Sequence, residues 1–372
     1  MIRVLVTGAG GFIGRNLTVA LQRRGDLQLS TFEIGDPGNR LEEALGAADL
    51  IYHLAGVNRP EKVEEYAAVN AGLTRTVVDT LRRGTRRPVI ILASSTQALL
   101  DNPYGKSKLE AEEILRDYAA KDGGGARVFR LPNVFGKWSR PNYNSAVATF
   151  CHNIAHGLPI TISDPARVLQ LVYIDDVVRS FLTYLDSKPE CTFELCEVEP
   201  VFNVTLQAVA DTILRFKEMR SILVSPDFSD PFVKRLYPAY LSYLEPTEFA
   251  YPLSKKTDDR GTLAELLKSH HMGQIFVSRT KPGVTRGNHF HDSKIEKFCV
   301  LEGEAVVRFR HIVTNETVAY NVTGTDFKVI DIPPGYTHSI QNVGSSELIT
   351  LFWADEIFNP EKPDTYPAKV IQ

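Results

Sequence analysis

Apolar positions change their spacing partway along the chain. In the first half, short unbroken apolar runs at 2–7, 27–32, 50–54, 89–93 and 128–130 alternate with amphipathic stretches such as 14–24 and 104–120. A strand covered on both faces reads as a continuous apolar run, and strands separated by helix-length segments form β-α-β units around a parallel sheet. The pattern predicts a doubly wound α/β sheet. From about Ser254 the runs become short, β-branched and aromatic (274–278, 304–310, 348–353), with Gly, Pro and Asn turns between them. That texture predicts an antiparallel all-β sandwich or barrel. Between the two lies a Pro/Tyr-rich passage at 237–246, so the expected division is residues 1–245 and residues 246–372.

Composition narrows the function classes. The 372-residue chain carries 42 Lys+Arg against 45 Asp+Glu, a formal charge of -3. Nucleic-acid binding needs a basic surface, and the one dense basic run, Arg82-Arg83-Gly84-Thr85-Arg86-Arg87, reads as a solvated helix end or loop. Four cysteines (Cys151, Cys191, Cys196 and Cys299) are too scattered for a disulfide framework. Cys191 and Cys196 lack a second pair to complete a zinc site and read as buried thiols. No apolar stretch approaches the roughly 18 residues of a membrane helix. The first strand runs straight into a glycine-rich turn, which leaves no room for a signal peptide. A soluble, cytoplasmic protein without nucleic-acid or membrane partners is expected.

Thr7-Gly8-Ala9-Gly10-Gly11-Phe12-Ile13-Gly14 follows the first strand and opens a helix. Small residues let the backbone turn tightly and approach a pyrophosphate, which then rests on the helix N-terminus. Glu33, after the second strand, is placed to accept from a ribose hydroxyl, which favours NAD. A candidate reaction centre combines Ser94-Ser95-Thr96 with Tyr104-Gly105-Lys106-Ser107-Lys108. Asp101-Asn102-Pro103 supplies a cap and a first-turn proline, so Tyr104 and Lys108 share one helix face. A cation there lowers the phenol's pKa, letting Tyr104 move a proton near neutrality, while Ser95 holds a carbonyl oxygen.

These motifs resemble the extended short-chain dehydrogenases/reductases of the nucleotide-sugar type, a likeness covering residues 1 to about 243. Asp49-Leu50-Ile51-Tyr52-His53-Leu54-Ala55-Gly56 is similar to that family's strand beside the nicotinamide. Asn70-Ala71-Gly72-Leu73-Thr74, Arg130-Leu131-Pro132-Asn133-Val134-Phe135-Gly136 and Val172-Tyr173-Ile174-Asp175-Asp176-Val177 match further stretches. The resemblance implies a Rossmann-like fold and catalysis by Ser95, Tyr104 and Lys108. It implies cofactor contacts at Gly8, Gly11, Phe12, Ile13, Gly14, Glu33, Leu54, Ala55, Tyr104 and Lys108. The family generally uses NADP through an Arg near Glu33, and only Arg40 stands at some distance. NADPH is therefore expected, with NADH kept open by Glu33. The family's 4,6-dehydratases carry an Asp-Glu pair after the catalytic hydroxyl, and Thr96-Gln97 stand here instead. That favours simple hydride transfer over dehydration.

In the second half, the segment from Gly283 through His289, His291 and Glu296 to Gly303 fits G-x5-H-x-H-x4-E-x6-G, and Pro333 through Asn342 fits P-x-G-x2-H-x3-N. Alternate strand residues share a face, so His289 and His291 project together, joined by Glu296 and His338. Three imidazoles and a carboxylate suit a divalent transition metal, zinc foremost, with iron, manganese and nickel compatible. Phe327 stands where a glycine is usual. The two motifs together resemble the cupins, which implies an all-β jelly-roll barrel. Asp258-Asp259-Arg260-Gly261 and Arg286-Gly287-Asn288-His289 are also similar to cupin-fold deoxysugar epimerases, in which the corresponding His is a proton-transfer base. That role for His289 competes with ligation. Lys297 could hold an enolate oxygen, or be a strand-surface lysine.

A short-chain reductase joined to a cupin resembles a family of bifunctional capsular-polysaccharide enzymes, and the likeness spans nearly the whole chain. It includes Gln97-Ala98, Asn133-Val134-Phe135-Gly136-Lys137-Trp138, Lys281-Pro282-Gly283 and Gly335-Tyr336-Thr337-His338. The resemblance implies a homodimer on the route to UDP-N-acetyl-L-fucosamine. The cupin would epimerise carbon 3 of a UDP-2-acetamido-2,6-dideoxy-4-ketohexose, and the N-terminal domain would reduce carbon 4 with NADPH. The order is chemically coherent: a ketone at carbon 4 acidifies carbon 3, and its reduction traps the new configuration. Two other readings stand beside this one. The cupin could be a metal-stabilised oligomerisation module on a monofunctional 4-keto reductase, or the whole chain a nucleotide-sensing binder.

Overall fold

The computed structural model describes residues 1–187 and 190–371. The chain forms two compact units, Met1–Leu214 with Lys234–Leu244, and Arg215–Val233 with Glu245–Gln372.

In the first unit, β1 (Ile2–Thr7), β2 (Leu27–Phe32), β3 (Leu50–His53), β4 (Val89–Ser95) and β5 (Gly125–Leu131) form one sheet in the order β2-β1-β3-β4-β5, with Phe193–Cys196 added beyond β5. Every pairing in it is parallel. Helices α1 (Phe12–Gln22), α2 (Gly38–Ala47), α3 (Gly72–Arg83) and α4 (Pro103–Asp122) lie in the crossovers. Successive strand side chains face opposite ways. Leu50 and Tyr52 accordingly enter one apolar layer, with Leu17, Phe129 and Phe181, while Ile51 enters the other, with Leu45, Val78 and Leu115. A sheet buried on both faces is why these strands read as unbroken apolar runs. β2 lies on one side of β1 and β3 on the other, so the strand order reverses at β1, and the ends of β1 and β3 form the crevice where such sheets bind ligands.

Two sequence expectations change here. β4 and β5 are longer than their apolar cores, because β4 runs on to Ser95 and β5 begins at Gly125. Cys191 is exposed and Cys196 half-buried, so neither is the buried thiol expected. Cys191 precedes and Cys196 ends the sheet's edge strand, Phe193–Cys196, which is only partly covered. Arg82 and Arg83 end α3 and pair with Asp79, Asp122 and Glu42 at a solvated helix end.

The second unit carries two antiparallel sheets. One orders Lys255–Asp258, Gly261–Ser269, Gly273–Thr280, Leu348–Ala354, Glu296–Glu302 and Val329–Ile332; the other orders Thr317–Thr323, Glu304–His311, Tyr336–Asn342, Thr285–Phe290 and Tyr366–Pro367. Phe298, Val307, Phe309, Ile340 and Phe352 share one core, drawn from both sheets. This is a jelly-roll arrangement of the cupin kind. Among the described residues no helix is long and apolar enough to cross a membrane.

Candidate functional site

At the end of β1 three backbone segments converge. Gly8 has φ +73°, and a Cβ there would stand 2.7 Å from the Ala55 backbone. A Cβ on Gly14 would fall onto the Gly8 carbonyl oxygen. Neither position accepts a side chain. Leu54 N–H donates to the Thr7 carbonyl at 3.1 Å and Ala55 N–H to the Thr7 hydroxyl at 3.4 Å, which seats both residues beside the turn. Gly11 caps α1 without a side-chain bond, so the N–H groups of Phe12, Ile13 and Gly14 stand at the positive end of the helix. The residues present fit a dinucleotide, its pyrophosphate on these donors. The Glu33 carboxylate lies against the same turn, accepting from Gly10 N–H. Asp36 accepts from Glu33 N–H at 2.9 Å and holds the Arg40 guanidinium, also at 2.9 Å.

Ser95 closes β4, and Asn102 opens α4 by accepting from Gly105 N–H at 2.8 Å, with Pro103 in the first turn. The cap sets Tyr104 and Lys108 on one face. Lys108 is buried and donates to the Ala93 carbonyl at 2.9 Å; desolvation brings its pKa down to about 8. Burial pushes the Tyr104 phenol up, the Ser95 hydroxyl works the other way, and Tyr66 adds to the rise. The expected lowering of Tyr104 by Lys108 is thus corrected, because the ammonium is anchored on the β4 backbone instead. A phenol that keeps its proton is suited to donating it to a carbonyl oxygen.

Beside Tyr104 opens a cleft of about 300 Å³ lined by Asn58, Tyr66, Gln97, Asn102, Pro103, Tyr104 and Asn144. Its lining is uncharged, with Gln97 where a dehydratase carboxylate would stand. Tyr66 lies in a π-helical turn, Tyr66–Ala71, its ring 5.6 Å from that of Tyr104. Sequence reasoning missed Asn58, Tyr66 and Asn144, which arrive from two loops and the start of the π-helical turn and belong to no spaced motif.

In the second unit His289, His291, Glu296 and His338 bring one ligand atom each within 4.8 Å of the others. Pairing between Thr285–Phe290 and Tyr336–Asn342 slips at Asn288, which has φ +61°, so that His289 comes directly opposite His338. A bulge re-aims the next side chain in this way. The Nε2 atoms of His291 and His338 are buried without a hydrogen bond, 3.4 Å and 3.6 Å from Glu296 Oε2. Orphaned buried imidazole nitrogens converging on a carboxylate fit a divalent cation. Burial, reinforced by His338, lowers His289 to about 4. Burial alone would raise Glu296, but His291 and His338 outweigh it and hold the carboxyl well below its usual range. Ligands must be unprotonated, and these are the matching states. His289 is half-buried, whereas the other three members are buried.

Lys297 does not join this cluster. On Glu296–Glu302 the inward side chains are Glu296, Phe298 and Val300, so the pleat turns Lys297 outward, where it is exposed and paired with Asp331. Lys294 is the buried lysine instead, its Nζ 3.7 Å from Glu296 Oε1.

A dinucleotide cradle at a sheet's switch point, with Ser, Tyr and Lys beside an uncharged cleft, defines a nicotinamide-dependent enzyme class. Residues 4–196 match the NAD dependent epimerase/dehydratase family, and the chain belongs to it. Residues 256–366 match the polysaccharide biosynthesis C-terminal domain. The chain is 42% identical over 369 residues to UDP-2-acetamido-2,6-beta-L-arabino-hexul-4-ose reductase of Pseudomonas aeruginosa, covering 99% of each. Its structure is similar to that of the capsular polysaccharide assembling protein CapF from Staphylococcus aureus, with a TM-score of 0.92, 44% identity and 99% and 100% of the two chains covered. A second CapF structure, with the inhibitor 3-isopropenyl-tropolone, matches at a TM-score of 0.87 and 39% identity, covering 99% of this chain and 100% of that one.

Zinc added to metal-stripped protein at about 100 times its Kd should stabilise the second unit by about 2.7 kcal/mol in a thermal melt. The gain should shrink as pH falls toward about 4, where His289 takes a proton, and should vanish in His338→Ala. A melt of the unaltered protein that zinc leaves unchanged would exclude a metal at the cluster.

Proposed function

We propose that the chain is a bifunctional nucleotide-sugar enzyme. Its second unit, a cupin, epimerises carbon 3 of a UDP-2-acetamido-2,6-dideoxy-4-ketohexose. Its first unit then reduces carbon 4, in the synthesis of a capsular-polysaccharide precursor of the UDP-N-acetyl-L-fucosamine route. The observation that carries the reading is the end-to-end likeness to a UDP-hexul-4-ose reductase, in a chain that places Tyr104 in the lining of the cleft, with the Ser95 hydroxyl against it and Lys108 buried one helical turn further on. A cytoplasmic homodimer belongs to the same proposal.

A nicotinamide cofactor, held at the Gly8–Gly14 turn, would supply the hydride for carbon 4. Ser95 orients the ketone oxygen and Tyr104, protonated, donates to it, which is the direction a raised phenol pKa favours. Lys108 keeps a positive charge beneath the site. The uncharged cleft lining suits a neutral sugar, with Asn58, Gln97 and Asn144 offering amide donors and acceptors to its substituents. In the cupin, His291, Glu296 and His338 form the closed side of the donor set and His289 its open side. A divalent metal held by these residues would supply Lewis-acid stabilisation of developing negative charge. His289, neutral at pH 7, either completes the ligand set or takes the carbon-3 proton. The tropolone inhibitor of CapF carries adjacent oxygens of the kind that chelate divalent metals, which supports the metal reading.

On the choice of cofactor, Glu33 supports NADH rather than the NADPH implied by family likeness. A carboxylate at the glycine turn accepts ribose hydroxyls and repels a 2′-phosphate, and Arg40 is already paired with Asp36.

Tyr104→Phe should cut nicotinamide oxidation at least about 1,000-fold while solvent deuterium still enters carbon 3; loss of both would sink the division of labour. Stripping the metal should do the reverse. His289→Ala separates that residue's roles by whether it loses metal or only exchange. The pH profile of kcat/KM for ketone reduction should fall as pH rises through about 8, where Lys108 sheds its proton, and that limb should disappear in Lys108→Met. The ratio of kcat/KM for NADH over NADPH should exceed about 10 and drop in Glu33→Gln; a preference for NADPH would refute the role given to Glu33.

A further inference from the structure

Four residues, Asp364 to Pro367, lie against the segments that carry the His/Glu cluster. Asp364 has φ +37°, a left-handed conformation that L residues adopt only where surrounding contacts hold them. Its side chain is fully engaged. Oδ1 accepts from Asp292 N–H at 3.0 Å, and Oδ2 accepts from Ser293 N–H at 2.9 Å, from the Ser293 hydroxyl at 2.9 Å and from Lys294 N–H at 2.8 Å. These are consecutive backbone donors of the turn that joins His291 to Glu296. The Asp364 carbonyl meets His291 Nδ1 at 2.6 Å. A carbonyl only accepts, so His291 carries its proton on Nδ1 and presents a bare Nε2 to the cluster. Thr365 Oγ1 accepts from the buried Lys294 ammonium at 3.1 Å, which keeps that charge beside Glu296.

The same segment grips the other ligand strand. Tyr366 and Pro367 pair with Phe290 and His289, Ala368 N–H donates to the Asn288 carbonyl at 2.9 Å, and Val370 N–H donates to Asn288 Oδ1 at 3.2 Å. The bulge that aims His289 inward is therefore tied from outside, as is the turn that carries Glu296 to the cluster. One strap, from the far end of the chain, fixes the outer side of three of the four ligands. Groups that hold a ligating imidazole by its second nitrogen set its tautomer and orientation, and their loss commonly costs about 10- to 100-fold in metal affinity.

We propose that Asp364 is a positioning residue for a divalent metal at His289, His291, Glu296 and His338, acting through the 292–294 turn and the His291 tautomer. The inference rests on the metal reading given above. Asp364→Asn swaps one carboxylate oxygen for an amide N–H2 that cannot accept, so the turn loses either one or three of its four bonds to this side chain, according to which way the amide faces.

The test is zinc affinity of the full-length protein, measured by competition with a chromophoric chelator, together with the visible spectrum of the cobalt(II)-loaded form. Asp364→Asn should bind zinc about 10- to 100-fold more weakly and shift the cobalt bands, with far-ultraviolet circular dichroism unchanged. Ser293→Ala removes a single bond to Oδ2 and should weaken zinc a few fold, which keeps the proposal testable if Asp364→Asn does not fold. Affinity and cobalt spectrum equal to the unaltered protein's in either folded variant would overturn the positioning role alone. Absence of zinc binding by the unaltered protein would overturn the metal reading and this inference with it.

Discussion

The first unit depends on a place where no side chain fits. β1, β3 and α1 meet at Gly8, Ala55 and Gly14 so closely that a single methyl group at either glycine would collide with backbone. The approach is possible only because the strand order reverses at β1, leaving a crevice at the strand ends. From it follow the uncapped N-terminus of α1 and the placement of Glu33 against the turn. A substituent at Gly14 would push the helix off the sheet and remove the donors for a pyrophosphate together, so fold and binding are inseparable there.

The reaction centre is held by buried charge. Glu112 is 1% exposed, accepts from the Ser94 hydroxyl and pairs with the Arg130 guanidinium at 2.6 Å. This joins α4 to both β4 and β5, one turn of helix beyond Lys108. A buried carboxylate is tolerable only when its oxygens are satisfied, and the pair contributes less to net stability than to fixing how α4 sits. Asn70 adds a second tie, donating to the Ser107 hydroxyl at 3.0 Å and to the Val57 carbonyl. Tyr104 therefore reaches Ser95 from a helix fixed at its cap, its middle and its buried face.

Local signals in the sequence were reliable where chemistry and backbone coincide. The glycine turn needs small residues, Asn102-Pro103 is itself the helix start, and two spaced motifs carry the four cluster residues, so each was legible from the chain alone. The rest depends on distant partners. Lys297 adjoins Glu296 in sequence, but the pleat turns it outward, and Lys294 is buried only because the turn before the strand is held by Asp364, 70 residues away. Phe193–Cys196 is half-buried at its two ends and exposed at Glu194 and Leu195 instead of forming a buried apolar run, because it is a sheet edge; nearby Cys191 is exposed too. Lys108 lies on the expected face of α4, yet a carbonyl of β4 captures its ammonium. That partner could not be read from the Tyr-x-x-x-Lys spacing.

The two sites use burial to opposite ends. At Tyr104 it keeps a proton on a phenol that would donate it, and at His289 it keeps a proton off an imidazole. On the proposed chemistry, the first is what ketone reduction needs at its oxygen, and the second is what proton removal or metal ligation needs at carbon 3. Both states hold at neutral pH, because desolvation penalises phenolate and imidazolium alike and at His289 outweighs the opposing pull of Glu296. A single pH can therefore serve both steps, with the upper limit set at Lys108, whose buried ammonium is the first of these groups to change state as pH rises from neutral.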